Sequence, residues 1–196
     1  MQSNQNSWIQ TVAEQEIIIG ELQRQLLTEQ HLQAGYAAQS ANLHSRLRAW
    51  QTISLAAVTE PDNLLDVTCR TLVHMLGWSA AVIVSLQGGE MRVESHAQMT
   101  ESQLKRLRLS GASTPSFLAA YHAKLPFSTM RGGSQQALAF RVLFSTDDVI
   151  AVPLLSQDSL SGYLVVCQHG GTALEVGDQL EYLSCLAAFV TGIVSP

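Results

Sequence analysis

With 196 residues the chain holds one ordinary domain plus an extension, or at most two small domains. Apolar residues make up 46% and charged residues 14%, which supplies a real core and argues against general disorder. The formal net charge of −5 offers no electrostatic footprint for nucleic acid or for an anionic lipid surface.

The first sixty residues contain no proline. In heptads, Trp8, Leu22, Tyr36, Leu43, Trp50 and Ala57 fall at a positions, and Val12, Ile19, Leu26 and Leu47 at d positions. That single register predicts a long helix with a coiled-coil seam. Glu29, Gln33 and Ser40 make its middle polar. Gly20 and Gly35 weaken it by about 1 kcal/mol each relative to alanine. Such a helix either pairs with its copy in a parallel homodimer and transmits signal along the chain, or folds back on its own domain. A length of roughly 90 Å exceeds what a compact domain can cover and favours the homodimer. The expected interface is Leu22, Leu26, Tyr36, Leu43, Leu47 and Trp50, with Trp50 and Ile53 lying near the domain. Residues 1–45 are thus expected to form the coiled-coil signalling helix, and residues 46–196 the folded domain.

Thr59-Glu60-Pro61-Asp62 carries the marks of a helix start: a capping hydroxyl, then proline and acids in the first turn. Leu65, Cys69, Leu72, Val73 and Leu76 form the expected buried stripe of that helix, and Gly77 supplies a left-handed cap. Ala80–Leu86 is β-rich, Gly88-Gly89 a turn, and Glu90–His96 its hairpin partner. Glu101–Leu109 is predicted helical with Leu104 and Leu107 inward, and the basic cluster Lys105, Arg106 and Arg108 on a solvated face. Gly111–Pro115 breaks that helix, Ser116–Ala123 forms a second short one, and Arg131-Gly132-Gly133-Ser134 is a loop. Val149–Leu155 and Gly162–Gln168 are strands joined by a polar turn, Ser156–Ser161, and His169-Gly170-Gly171 closes the sheet. Val176, Leu180, Leu183, Ala187, Val190 and Val194 alternate in spacings of four and three, marking a terminal amphipathic helix. Strands and helices do not strictly alternate, so the fold class is α+β: an antiparallel sheet flanked by helices.

The segments Asp148-Val149-Ile150-Ala151-Val152-Pro153-Leu154-Leu155 and Leu160-Ser161-Gly162-Tyr163-Leu164-Val165-Val166 resemble the paired strands near the end of a GAF domain. Val176-Gly177-Asp178 through Leu183 and Leu186-Ala187 resembles its closing helix. Pro61–Gly77 followed by Trp78–Leu86 is similar to its opening helix and first strand. The resemblance covers roughly residues 46–196. It implies a six-stranded antiparallel sheet with a ligand pocket on one face and a helical bundle on the other. The leading helix is similar to the signalling helices that precede GAF domains in histidine kinases and cyclic-dinucleotide enzymes. The closing helix of such modules leads into an output domain or partner protein.

Little in the sequence points to chemistry. Cys69, Cys167 and Cys185 are widely separated, form no CxxC, and suit reduced thiols in the cytoplasm. Arg70, Gln168 and Leu186 follow them, whereas bilin attachment on this fold commonly uses cysteine followed by histidine. Methionine-sulfoxide reduction needs cysteines clustered beside the pocket. Haem needs an axial ligand, for which His122 is the best placed of six histidines. There is no GxSxG and no phosphate loop. Arg131 with its glycines and Asp147-Asp148 suit a loop and a solvated turn. No catalytic residue, cofactor or metal site is therefore expected, and the chain is not expected to be an enzyme. The polar start Met1–Gln5 lacks the regions of a signal peptide, and no stretch reaches the roughly 20 apolar residues of a membrane span.

The resemblance places Ser116–Ala123 and Phe140–Phe144 at the cavity, so Tyr121, His122, Phe140, Arg141 and Phe144 are the candidate contacts for an unidentified small molecule. Strand alternation puts Arg141 and Leu143 on one face and Phe140, Val142 and Phe144 on the other, with Arg141 facing water or anchoring an anion. The rival reading is a scaffold that only dimerises or docks a partner, its pocket filled by Trp78, Tyr121, Phe127, Phe140 and Phe144.

Overall fold

A computed structural model describes residues 2–87, 90–110, 127–128, 148–157, 159–168 and 176–194. The chain divides into two compact units, Met1–His44 and Ser45–Pro196. Helix α1 runs without interruption over Gln2–Thr59. Within the first unit Ile19, Leu22, Leu26, Tyr36 and Leu43 are all more than half exposed. In the second unit the same helix is a core element: Ala49 and Ile53 are fully buried and Ala56 nearly so.

A single 3₁₀ turn, Pro61–Asn63, leads into α2, Leu64–Leu76. Thr59 does not cap this helix. Its hydroxyl donates to the Leu55 carbonyl (3.0 Å), within α1, because a threonine hydroxyl bonds the carbonyl four residues back as readily as the amides ahead. Gly77 ends α2 in the left-handed conformation (φ 74°), as its sequence position implies. The amide of Gly77 donates to the Val73 carbonyl, the single bond of an αL cap, and that of Trp78 reaches back to the Leu72 carbonyl. The buried stripe of α2 is rotated from the expected one. Leu64, Thr68, Cys69, Thr71 and Leu72 are buried, whereas Leu65, Val73 and Leu76 are only partly covered. Thr68 is admitted to the core because its hydroxyl donates to the Leu64 carbonyl at 2.8 Å.

The sheet contains, among the described residues, β1 (Ala80–Gln87), β2 (Glu90–Ala97), β3 (Phe127–Ser128), β4 (Asp148–Ser156) and β5 (Ser159–Gln168). Their order is β2-β1-β5-β4-β3, antiparallel at every pairing. Helix α3 (Glu101–Ser110) follows β2, and α4 (Val176–Val194) closes the chain. Thr100 and Gln103 cap α3 reciprocally: the Gln103 amide donates to the Thr100 hydroxyl, and the Thr100 amide to the Gln103 side chain. The connection between β4 and β5 is shorter than the polar turn expected from Ser156–Ser161, because both strands extend into it. The expected helix at Ser116–Ala123, the loop Arg131–Ser134 and the turns at Gly88-Gly89 and His169–Gly171 lie outside the described residues.

Period-two alternation divides the sheet into two apolar faces. Ala81, Ile83, Ile150, Val152, Leu164 and Val166 pack with the ends of α1, α2 and α4, through Ile53, Leu72, Leu183 and Val190. Val82, Val84, Val149, Ala151, Tyr163 and Val165 form the opposite face, with Leu107 of α3 packed among them. Leu104 and Leu107 are both buried, as their helical spacing implies.

The register breaks twice. Ile83 pairs with Ser95 but Val84 with Val93, leaving Glu94 as the extra residue in β2. Leu154 pairs with Gly162 but Leu155 with Leu160, leaving Ser161 extra in β5. Both are β-bulges, which re-aim side chains.

Candidate functional site

The face opposite the helical bundle, which carries α3, is the one on which the family resemblance implies a ligand. Its described floor is almost wholly apolar: Val82, Val84, Val149, Ala151 and Val165 are buried there, with the fully buried Tyr163 among them. The five candidate contacts, Tyr121, His122, Phe140, Arg141 and Phe144, lie outside the described residues. Trp78 does not fill this space. It packs in the core on the opposite face, with Leu72 and the bundle helices, which removes it from the set of side chains proposed to plug the pocket.

The buried thiols are chemically quiet. Burial pushes the Cys167 thiol up to about 12. Burial does the same to Cys69, also to about 12, with the Ser95 hydroxyl lowering it in part. Neither supplies a thiolate near neutral pH, and it is the thiolate that attacks electrophiles. Cys185, on α4, is exposed. Iodoacetamide at neutral pH is expected to add one carbamidomethyl group to the native protein and three to the unfolded protein, as read by intact mass. Two rapid additions to the native protein would contradict this packing.

A wider polar cleft of about 800 Å³ lies between α2 and the edge strand β2, lined by Asp66, Arg70, His74, Glu94 and His96 among others. Arg70 is paired with Asp66 at 2.7 Å, one helical turn away. Among the described residues no group of three His, Cys, Asp or Glu side chains is placed to hold a metal ion. Nor, among them, is any helix long and apolar enough to cross a membrane.

The end of α1 and the closing helix are joined through aromatic side chains. The Tyr182 hydroxyl donates to the Arg46 carbonyl at 3.2 Å, and the Arg46 guanidinium sits 5.5 Å from the centre of the Tyr182 ring. Burial raises the Tyr182 pKa, and the positive charge of Arg46 opposes that rise. One turn along α1, the Trp50 ring lies 5.2 Å from that of Phe189, tilted by 44°. Trp50, assigned from its heptad position to a dimer seam, is therefore half-buried against its own domain.

No protein-family model and no curated protein matches the sequence. The backbone does have counterparts. A GAF domain of a phosphoenolpyruvate-protein phosphotransferase from Coxiella burnetii superposes with a TM-score of 0.61 at 16% identity, covering 79% of this chain and 95% of that one. The chain has the GAF fold. The corresponding Acinetobacter domain gives 0.56 at 13% identity, covering 79% of this chain and 92% of that one. A phycoerythrobilin-bound GAF domain from a cyanobacterial phytochrome also gives 0.56, at 15% identity over 79% and 94%.

Within this GAF fold the segments singled out by resemblance fall where they should. Val149–Leu155 lies in β4, Leu160–Val166 in β5, and Val176–Ala187 in α4. Sequence reasoning missed Glu94 and Ser161, the two bulged residues. For Ser161 the signal was present in its neighbour, since a glycine inside a strand often marks a bulge or a close backbone approach. For Glu94 no comparable signal exists in the run from Glu90 to Ala97.

Proposed function

We propose that the chain is a non-catalytic sensory or regulatory GAF module of a cytoplasmic signalling protein. It binds a small molecule on the α3 side of the sheet and relays its state through a homodimeric helical bundle to an output domain or partner protein. The observation that carries this reading is the continuity of α1. One helix exposes Leu22, Leu26, Tyr36, Leu43 and Leu47 and, further along, buries Ala49 and Ile53 in the domain core. Exposed leucines in an unbroken heptad register suit a second copy of the same helix. The Arg46–Tyr182 and Trp50–Phe189 contacts join α1 to the closing helix, so a shift in either is felt by the other. The bilin held by the phytochrome GAF domain supports the capacity of this fold to hold a small molecule. The ligand acts as a signal only to the extent that it binds two helix arrangements with different affinity.

Replacing Leu43 and Leu47 together by lysine tests the dimeric relay. The variant is expected to be monomeric by multi-angle light scattering, with the far-ultraviolet dichroism of the sheet domain retained. A variant that stays dimeric at the same concentration refutes the relay through this seam.

A further inference from the structure

The two β-bulges meet at one cavity. Ordinary alternation would put Ser161 on the α3 side with Tyr163 and Val165. The bulge turns it to the bundle face instead, beside Leu154. In β2 the bulge places Glu94 on the same side as Ser95, next to Ser85 of β1. Glu94, Ser161, Ser85 and Thr191 of α4 all line a single cavity of about 260 Å³ between the sheet, α2 and α4. Its apolar walls include Leu65, Ile83, Leu154 and Val190. This space lies on the bundle side of the sheet, with α3 packed on the other.

The hydrogen bonds decide what the cavity offers. The Ser161 hydroxyl donates to the Leu154 carbonyl at 2.8 Å. The Thr191 hydroxyl donates to the Ala187 carbonyl at 2.7 Å. The Ser85 hydroxyl donates to the Glu94 carboxylate. A hydroxyl has one proton, and in all three cases it is committed to the protein. What remains toward the cavity is lone pairs: three hydroxyl oxygens and a carboxylate. Arg70, across the neighbouring cleft, is paired with Asp66. The cavity is thus apolar in its walls, negative at one end, and furnished with acceptors.

We propose that this cavity is a binding site for a small organic ammonium ion. The ammonium group donates to the Glu94 carboxylate and to the Ser161 and Thr191 oxygens, while its hydrocarbon part lies against Leu65, Ile83, Leu154 and Val190. An ammonium brings three donors and no acceptor, which complements such a lining. A carboxylate of the same size meets the Glu94 charge and no donor. An alcohol of the same size brings a single proton and no charge.

The test uses the whole chain and three probes of equal length at neutral pH: hexylammonium chloride, sodium hexanoate and hexan-1-ol. Hexylammonium is expected to bind saturably by calorimetry, with the other two at least about tenfold weaker, since charge-assisted hydrogen bonds are roughly twice as strong as neutral ones. Methyl shifts in the carbon–proton spectrum are expected at Leu154 and Val190, with Val149 and Val165 on the opposite face unmoved. Glu94→Gln keeps an acceptor for Ser85 and is expected to weaken hexylammonium about tenfold, by removing the charge. Thr191→Val, close to isosteric, is expected to weaken it by less. Hexanoate binding as well as hexylammonium, shifts confined to the opposite face, or no saturable binding by the unmodified protein would each overturn the proposal. The probe series needs no variant, so it decides the matter even where Glu94→Gln fails to fold. Loss of dimerisation through α1 leaves this result unaffected, which separates the two readings.

Discussion

Gly162→Ala is expected to destabilise the domain by about 3 kcal/mol or more, the upper part of the range for overpacking. A Cβ at this position would lie 2.0 Å from the Val84 carbonyl oxygen, 2.9 Å from its carbon and 3.0 Å from the Ser85 Cα. All three atoms are backbone, so no side-chain rotation relieves the clash. The only relief is to part β5 from β1, two central strands, and to lose ladder hydrogen bonds between them. Against a typical total of about 5–15 kcal/mol, that is a large fraction of the stability. The control is Gly192→Ala in α4, where nothing lies within 4 Å of the added carbon. That change is expected to stabilise the protein by up to about 1 kcal/mol, because alanine is the better helix former. Urea melts of the two variants should shift in opposite directions. A Gly162→Ala melt that overlays the unmodified protein would show that β5 does not approach β1 in this register.

The elements legible in the sequence are those whose burial is periodic. The spacing of four and three through Leu183, Ala187 and Val190 marks the buried side of α4, and all three are buried. Ala80–Val84 and Val149–Val152 are continuous apolar stretches because β1 and β4 are covered on both faces there. Gly77 was legible because left-handed backbone at a helix end has few other residues to use. The misreadings share a cause as well. Thr59 can cap the helix ahead or bond back within the helix behind, and composition does not distinguish these. Leu64 and Leu65 are adjacent leucines at a helix start, so a rotation of one residue changes which of them is buried without altering the pattern.

The bundle-face cavity was illegible for a different reason. It depends on two register breaks, and register is a property of paired strands. In Leu160-Ser161-Gly162 the polar serine before glycine looks like the end of a turn, when it is the bulged residue of a longer strand. Glu94 lies in a run whose regular alternation gives no hint that two neighbours share a face. The candidate contacts on the α3 side came from family resemblance to a segment with weak periodicity, and a fold likeness at 13–16% identity carries no residue roles across.

Ile53→Ala and Leu47→Ala are expected to behave as different classes of mutation, though both remove an aliphatic side chain from the same helix six residues apart. At 3.6 residues per turn they sit about 240° apart around the axis. Ile53 is 0% exposed and belongs to the core shared with α2, α4 and the sheet, whereas Leu47 is 55% exposed. Truncating Ile53 removes buried methyl and methylene groups and leaves a cavity in a close-packed site, at a cost of about 2–5 kcal/mol. Truncating Leu47 creates no cavity, and its effect on unfolding of the domain at low protein concentration is expected within about 0.5 kcal/mol. Its effect belongs to association: the proposed dimer should dissociate at higher concentration than before. Denaturant melts at two protein concentrations, set beside sedimentation equilibrium, separate the two quantities. If Leu47→Ala lowers the midpoint of the dilute protein as much as Ile53→Ala does, the Leu47 side of α1 is covered by its own domain and the seam is not free to pair. If Ile53→Ala is silent, the end of α1 is not part of the domain core, and the Arg46 and Trp50 contacts with α4 lose the support that would let them transmit anything.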